Sequence, residues 1–167
     1  MEITIYDRRF TRYNGNEYRL VISGKSEALR TTDQSKSDES FISYGNFYLK
    51  QISLDELSDI YDYQFSVFYD SHLEGFSEEW DLVFDSPQVI KENGVELSLL
   101  KDGKFDGWEM IDRSHYIKWV DNSELKGAKL RFTFYKKDGK EYSPPLIEEK
   151  EINVSELFIY NQHYRNM

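Results

Sequence analysis

One six-residue pattern occurs three times in this chain of 167 residues, at 52–57, 120–125 and 152–157. Each copy has an aliphatic residue, then a good helix N-cap residue, with a glutamate three positions after the cap and a leucine four positions after it. A glutamate at that spacing accepts a hydrogen bond from the N–H of the cap residue, and the two apolar residues occupy hydrophobic-staple positions. We therefore predict that a strand runs into a short capped turn at three places, and that the glutamates are structural.

The similarity extends outward from the first two copies. Residues 48–50 (Tyr-Leu-Lys) and 116–118 (Tyr-Ile-Lys) precede them at the same offset of 68 residues. A second repeated pattern is an Asn-Gly pair at 14–15 and an Asp-Gly pair at 138–139. Both pairs tolerate the positive φ of a type I′ turn, so we predict a tight hairpin at each.

These repeats and the aromatic content favour a mainly β fold. Aromatic residues make up 16% of the chain, and they are typical of pleated, half-buried surfaces. We predict two tandem small β-barrel units of the SH3-like type, with short capped helical turns and a C-terminal extension. A single α+β domain is the alternative. The predicted ranges are 1–60 for the first unit, 61–128 for the second, and 129–167 for a truncated third unit or C-terminal extension.

Helical segments are expected to be short, because no window of the sequence shows a long helical period. The best candidates follow the first and third caps, at 53–61 and 154–164, while the sequence 158–160 (Phe-Ile-Tyr) would equally suit a strand. The Ser-Pro-Pro sequence at 143–145 argues against a central strand there, since proline donates no ladder hydrogen bond.

The charge of the chain is strongly negative. Asp and Glu total 31 against 21 for Lys and Arg, giving a formal net charge of −10. Such a surface disfavours direct binding to nucleic acid, whose affinity depends on Lys and Arg displacing counterions. It also disfavours anionic membranes and favours steered association with a basic protein partner. We therefore expect a protein partner, no direct nucleic-acid binding and no membrane; the sequence leaves the oligomeric state open.

The chain has no cysteine, which excludes disulfides, thiolate nucleophiles and cysteine zinc sites. This composition fits a reducing compartment. The N-terminal residues lack the charged and apolar regions of a signal peptide, and no stretch reaches transmembrane length. We expect a cytoplasmic protein without a cofactor or metal.

Residues for catalysis are scarce. The three histidines, His72, His115 and His163, have no second metal ligand at a recognised spacing. His115 could meet a serine and an aspartate in space as a catalytic base, but a residue at a strand end is the simpler interpretation. No glycine-rich segment matches a phosphate-binding loop. The sequence therefore predicts a protein that is not an enzyme.

One tryptophan is a candidate for an exposed contact. Trp119 follows Lys118 on a predicted strand, and its counterpart in the first copy is Gln51. A position that accepts both Gln and Trp is expected to face outward, and tryptophan is enriched in interface hot spots. Acidic residues cluster elsewhere along the chain. The predicted partner-binding residues are Trp119, Asp62, Glu78, Glu79 and Asp81.

The sequence 116–125, followed by an aromatic strand and the Asp-Gly-Lys-Glu-Tyr sequence at 138–142, resembles small acidic proteins of Firmicutes toxin systems. Those proteins are presumed immunity proteins. The resemblance covers about two-thirds of the chain. It implies a protein that neutralises a partner protein without catalysis. It implies no particular site residues, and the serine-rich segment at 34–40 and the truncated third unit depart from it.

Three functions are compatible with the sequence. The first is a non-catalytic acidic interaction protein, of the immunity or antitoxin type, that binds and neutralises a partner protein. The second is a phage or mobile-element inhibitor that mimics nucleic-acid charge, which requires acidic residues in a regular line. The third is a small enzyme or ligand-binding β domain, which requires a pocket with perturbed titratable groups.

Overall fold

The structure is a computed structural model that describes residues 3–23, 25–69, 79–81 and 90–167, with residues 3–8 and 79–81 described through their backbone. The described part of the chain contains thirteen strands, four 3-10 turns and one α-helix. The strands are β1 (Ile3–Tyr13), β2 (Asn16–Ser23), β3 (Ser26–Thr31), β4 (Ile42–Ser43), β5 (Tyr48–Gln51), β6 (Asp59–Tyr69), β7 (Glu79–Asp81), β8 (Ile90–Lys91), β9 (Gly94–Leu100), β10 (Glu109–Asp112), β11 (His115–Asp121), β12 (Leu125–Lys137) and β13 (Lys140–Ile152). The helix is α1 (Leu157–Arg165), and the 3-10 turns are Gln34–Lys36, Leu54–Glu56, Asn122–Glu124 and Val154–Glu156.

The chain divides into two compact units. Unit 1 comprises Met1–Tyr63, Phe132–Glu148 and His163–Met167, and unit 2 comprises Gln64–Arg131 and Glu149–Gln162. The units follow from spatial contacts, whereas the predicted ranges 1–60, 61–128 and 129–167 follow from sequence similarity. Those ranges therefore stay a prediction.

Unit 1 contains β1 to β5 and the parts of β6, β12 and β13 that lie within its bounds, and in their sheet these strands follow the order β13-β12-β6-β1-β2-β3-β5-β4. The first hairpin turns at Asn14 and Gly15, with φ of 50° and 79°, and the last at Asp138 and Gly139, with φ of 51° and 79°. Positive φ at both central residues is the geometry of a type I′ turn, so both predicted hairpins are confirmed. Strand β13 lies at the end of this order, which agrees with its prolines, because an edge strand tolerates residues without an N–H donor.

The core of unit 1 includes two large groups of apolar side chains. One is a cluster of buried residues under the first capped turn: Tyr18, Leu20, Leu29, Ile52, Leu57 and Ile60. The other is a set of aromatic rings in mutual contact: Phe10, Tyr61, Tyr63, Phe132, Phe134 and Tyr164. Part of the aromatic content of the chain thus fills this core.

Unit 2 contains an antiparallel sheet of four strands in the order β10-β11-β9-β8, and β7 pairs with the part of β6 that lies in this unit. Side chains alternate along β9 and β11, as expected for strands with one face in the core. The core face carries Val95, Leu97, Leu99, Tyr116 and Val120, none of which exposes more than 7% of its surface.

All three capped turns are confirmed. The carboxylates of Glu56, Glu124 and Glu156 accept bonds from the backbone N–H of their cap residues at 3.1, 2.9 and 3.0 Å. The staple residues are all buried, with at most 8% of their surface exposed: Ile52, Leu57, Val120, Leu125, Ile152 and Leu157. The first two turns lead into strands and the third leads into α1, so the same local stop signal precedes different elements.

The mainly β prediction is confirmed, but the finer prediction of tandem SH3-like barrels is not. The described strands form two sheets and close into no barrel. The helix predicted at 53–61 is a single 3-10 turn, because β6 already begins at Asp59. The C-terminal helix predicted within 154–164 is present as α1. Within the described ranges, no helix has both the length and the apolar character needed to cross a membrane.

Candidate interaction surface

Trp119 lies on the face of the four-stranded sheet that points away from the core of unit 2. Val120, the next residue along β11, and Tyr116, three positions before Trp119, are buried on the other face, whereas 40% of Trp119 is exposed. The predicted outward orientation of Trp119 is therefore confirmed. Its role in binding stays a prediction.

Gly94 makes room for the indole. A Cβ atom at this position would lie 2.6 Å from Cζ2 of Trp119 and 2.5 Å from the backbone oxygen of Val120. Real Cβ atoms do not make contacts this short, so any larger residue would displace the ring or the neighbouring strand. The indole therefore lies against the backbone of β9, and glycine is the residue that permits it.

Two charged groups contact the indole. Its Nε1–H donates a hydrogen bond to Oδ1 of Asp121 at 3.1 Å. The ammonium of Lys91 lies 5.5 Å from the ring centroid, which is within cation–π range. The indole is thus fixed at its polar edge, and its π system already attracts a cation from the same chain.

Carboxylates surround the tryptophan on the same face. The strand register places Glu96 directly opposite Trp119, and it places Glu109 and Asp112 opposite Ile117 and His115. Residues opposite each other in an antiparallel pair share a face, and their Cβ atoms lie about 5 Å apart. We call this surface the tryptophan face, and define it as Lys91, Glu96, Ser98, Leu100, Glu109, Asp112, His115, Ile117, Trp119 and Asp121. With four carboxylates and one lysine among these residues, the face is acidic.

His115 contacts a serine on this face. Its Nε2 lies 2.9 Å from Oγ of Ser98, on the neighbouring strand. A catalytic triad also requires a third group that orients the histidine. Asp112, the carboxylate opposite His115, accepts a hydrogen bond from the backbone N–H of Arg113 at 2.7 Å. We interpret the Ser98–His115 contact as a cross-strand hydrogen bond.

Asp62, the second predicted binding residue, belongs to unit 1 and bonds to its own chain. Its Oδ2 accepts a hydrogen bond from the hydroxyl of Tyr135 at 2.8 Å, and its Oδ1 lies 3.5 Å from Nε of Arg9. The guanidinium of Arg9 also covers the Tyr135 ring, 4.4 Å from its centroid. Burial, and then the bond to Asp62, raise the pKa of Tyr135 above its ordinary value. In this geometry Asp62 holds neighbouring strands together.

A cavity of about 590 Å³ adjoins this group in unit 1. Its lining includes apolar side chains and charges of both signs: Arg9, Leu20, Glu27, Leu54, Ile60, Tyr135, Lys136, Glu141, Tyr142 and Ser143. Lys136 is buried and donates from Nζ to the carbonyl of Leu54 at 3.0 Å, so it ties β12 to the first capped turn. The two cationic groups of the cavity, Arg9 and Lys136, therefore have structural partners within the unit.

The other predicted binding residues are Glu78, Glu79 and Asp81. Glu78 lies outside the described residues. Glu79 and Asp81 belong to β7, where they pair with Phe68 and Ser66 of β6. Their roles stay predictions. Across the described ranges, no group of three or more histidine and carboxylate side chains is placed to hold a metal ion.

The acidic neighbours of Trp119 were missed in the sequence. Glu96 and Glu109 belong to β9 and β10, so their proximity to Trp119 depends on the register of three strands, whereas Asp121 lies two residues after Trp119 on β11 itself. The alternation of β9 places Glu96 on the polar side of its strand. That alternation was the available signal, but it gives no register with β11.

Comparison with known proteins yields one family. No curated protein and no solved structure matches the chain. The family described as "Uncharacterised conserved protein UCP033725" matches residues 5–137, which include all the strands of the four-stranded sheet. Because the match covers most of the sequence, this chain belongs to that family.

Proposed function

We propose that the protein is a non-catalytic acidic interaction protein, of the immunity or antitoxin type, that binds and neutralises a partner protein with a basic surface. The observation that carries the proposal is the tryptophan face, where an exposed indole stands among carboxylates. Tryptophan is among the residues that contribute most to interface affinity, and it acts best where a polar rim excludes water around it.

The net charge supports the same proposal. A formal charge of −10 on a chain of 167 residues attracts a basic protein from a distance and raises the rate of encounter. Covering a basic functional surface with carboxylates would block its access to acidic or nucleic-acid substrates. The proposal includes a cytoplasmic location, which the absence of cysteine favours.

We also propose that the chain arose by duplication around the capped turn. The first two copies share the order strand, turn, strand, and all three share the glutamate bond and the buried staple. In this proposal Trp119 is a specialisation of the second copy, because the first copy has the exposed Gln51 at the same place.

Nucleic-acid mimicry is less well supported. The acidic residues of β13 are the best line of charge, but two of them pair with basic residues of β12. The carboxylate of Glu148 pairs with Lys137, while that of Glu149 pairs with Lys129 at 3.3 Å and Arg131 at 2.9 Å. Neutralised carboxylates imitate phosphates poorly, because each pair cancels the charge that a nucleic-acid-binding protein would recognise.

The proposed function is tested by affinity capture followed by reconstitution. The tagged protein is exposed to extract of its native cells at low salt, and retained proteins are eluted at high salt, since exposed charges are screened there. Each retained protein is then purified and assayed for toxicity with and without this chain. We expect a basic protein whose toxicity is suppressed at equimolar ratio. If the tagged protein retains none, or if a retained protein stays equally toxic, the proposed function is wrong.

A further inference from the structure

The tryptophan face has features of a site for one particular side chain. The indole lies against the backbone at Gly94, and 40% of Trp119 is exposed. Glu96 lies opposite the indole on β9, and Oδ1 of Asp121 accepts a hydrogen bond from the indole Nε1–H. A group that fits this place is flat, cationic and able to bond to carboxylates while it stacks.

Of the natural side chains, arginine meets these requirements best. Its guanidinium is planar, stacks on aromatic rings, and presents paired N–H donors that match a carboxylate. A lysine ammonium supplies the charge without the planar stacking. Lys91 occupies a cation–π position over the indole at 5.5 Å, so the chain itself provides a weaker cation where a partner's arginine would bind.

We propose that the tryptophan face binds an arginine-bearing basic segment of the partner protein, with a guanidinium stacked on Trp119 and paired with Glu96, in the place that Lys91 takes in the free protein. The charge complementarity of the face commits it to this occupant. Glu109 and Asp112 extend the acidic surface along the same sheet for further basic residues of the segment. The inference rests on the proposed function, since both require a basic partner.

The inference is tested with fluorescein-labelled hexa-arginine and hexa-lysine peptides, whose binding is followed by fluorescence anisotropy. We expect hexa-arginine to bind the wild-type protein more tightly than hexa-lysine. The Trp119→Gln variant should bind hexa-arginine about tenfold more weakly, because the cation–π contact is lost. It should fold normally, since glutamine occupies the corresponding place in the first copy. No binding of hexa-arginine, or unchanged binding by Trp119→Gln, would overturn the inference.

A charge-matched pair of variants separates the face from general attraction. Glu96→Gln with Asp121→Asn removes two carboxylates from the face, and asparagine preserves the cap as it does at Asn153. Glu39→Gln with Asp55→Asn removes two exposed carboxylates from unit 1. We expect the first pair to weaken hexa-arginine binding several-fold more than the second. Equal weakening would mean that net charge alone binds the peptide, and the inference would be wrong.

A variant that gains affinity removes the remaining ambiguity about folding. Replacing Lys91 with alanine frees the indole and makes the face more negative, so we expect tighter binding of hexa-arginine. Lys104→Ala removes an exposed lysine of the same unit and changes the net charge equally. The Lys91→Ala variant should exceed that control. If the two variants bind alike, Lys91 does not occupy the proposed position, which contradicts the inference.

A second copy of this chain is the competing occupant. Sedimentation velocity should detect no wild-type dimer that is lost in the Trp119→Gln variant. Such a dimer would assign the face to self-association and overturn the inference. The toxicity assay tests the proposed function separately from this inference. A neutralised toxin that binds the Trp119→Gln variant with unchanged affinity would leave the function in place and exclude the face.

Discussion

Gly94 is the residue on which the geometry of the tryptophan face most depends. A methyl group there would meet the backbone oxygen of Val120 at 2.5 Å as well as the indole at 2.6 Å. The ring could turn away, but a strand backbone moves only if its pairing is disturbed. The tryptophan face and the stability of unit 2 are therefore coupled at this one position.

We predict that Gly94→Ala lowers the free energy of unfolding by about 2 kcal/mol, as expected for overpacking against a rigid neighbour. The measurement is urea unfolding followed by far-ultraviolet circular dichroism. Gly127→Ala is the matched control, because a Cβ atom there would meet only Cδ2 of Phe68, at 3.5 Å. That variant should be neutral or stabilising by less than about 1 kcal/mol. A Gly94→Ala protein as stable as the Gly127→Ala protein would contradict the packing described here.

Tyr61 should make the stability of the protein depend on alkaline pH. Its ring is 1% exposed and its hydroxyl donates to Oε2 of Glu17 at 2.5 Å. Burial, and then the charge of Glu17, raise the pKa of Tyr61 well above its ordinary value. The unfolded chain loses this proton near pH 10, whereas the folded chain keeps it to higher pH. Its contribution is therefore complete below pH 10 and is lost as pH rises through the folded pKa.

We predict that above about pH 10 the wild-type protein loses about 1.4 kcal/mol of stability per pH unit more than Tyr61→Phe does. At neutral pH the variant should be less stable by about 1 kcal/mol, the usual loss for one hydrogen bond. Urea unfolding of both proteins between about pH 8 and 11 measures the difference. Parallel stability curves over this range would show that Tyr61 does not keep its proton in the folded state.

At the scale of elements, the capped turn is the recurring structural device. In each copy the glutamate bonds to the N–H of the cap residue at 2.9 to 3.1 Å, and the staple residues on both sides are buried. The bond satisfies a donor that the turn leaves unpaired, and the staple fixes the direction of the chain at that point. Each strand that precedes a cap therefore ends at a defined residue.

We predict that Glu56→Ala, Glu124→Ala and Glu156→Ala each lower the free energy of unfolding by about 0.5–1 kcal/mol, the usual loss for a capping interaction. Asp55→Ala is the control, since Asp55 is an exposed carboxylate within the first of these turns. Thermal unfolding of the four variants measures the effect. If the glutamate variants are no less stable than Asp55→Ala, the capping bonds contribute nothing to stability.

Local features of these elements could be predicted from the sequence, because their causes lie within a few residues. The cap-to-glutamate spacing predicted the three turns, and the Asn-Gly and Asp-Gly pairs predicted both hairpins. The exposure of Trp119 followed from its comparison with Gln51. Each of these features depends on backbone chemistry that neighbouring residues determine.

The sheets could not be predicted in the same way, because strand pairing joins residues far apart along the chain. Strand β1 pairs with β6 through contacts such as Phe10 with Tyr61, and no local pattern gives that register. The predicted barrels assumed that each repeat closes on itself. Instead β6, β12 and β13 are 11 to 13 residues long, and residues of each belong to both units.

For the whole molecule, charge and the tryptophan face together define the proposed mode of action. The net charge of −10 governs attraction at long range. Salt screens this attraction over a Debye length of about 8 Å at physiological ionic strength. Trp119 and its neighbouring carboxylates act at contact, where stacking and paired hydrogen bonds select the partner. The two effects are separable, since salt changes the association rate more than the dissociation rate.

The most direct test is the association rate constant between this protein and the toxic partner captured from its native cells, measured by stopped flow over a range of salt concentrations. The proposed mode of action predicts a rate constant that falls steeply as salt increases, and a shallower fall for the variant that carries Glu96→Gln with Asp121→Asn. A wild-type rate constant that does not change with salt would contradict the claim that acidic complementarity drives the interaction.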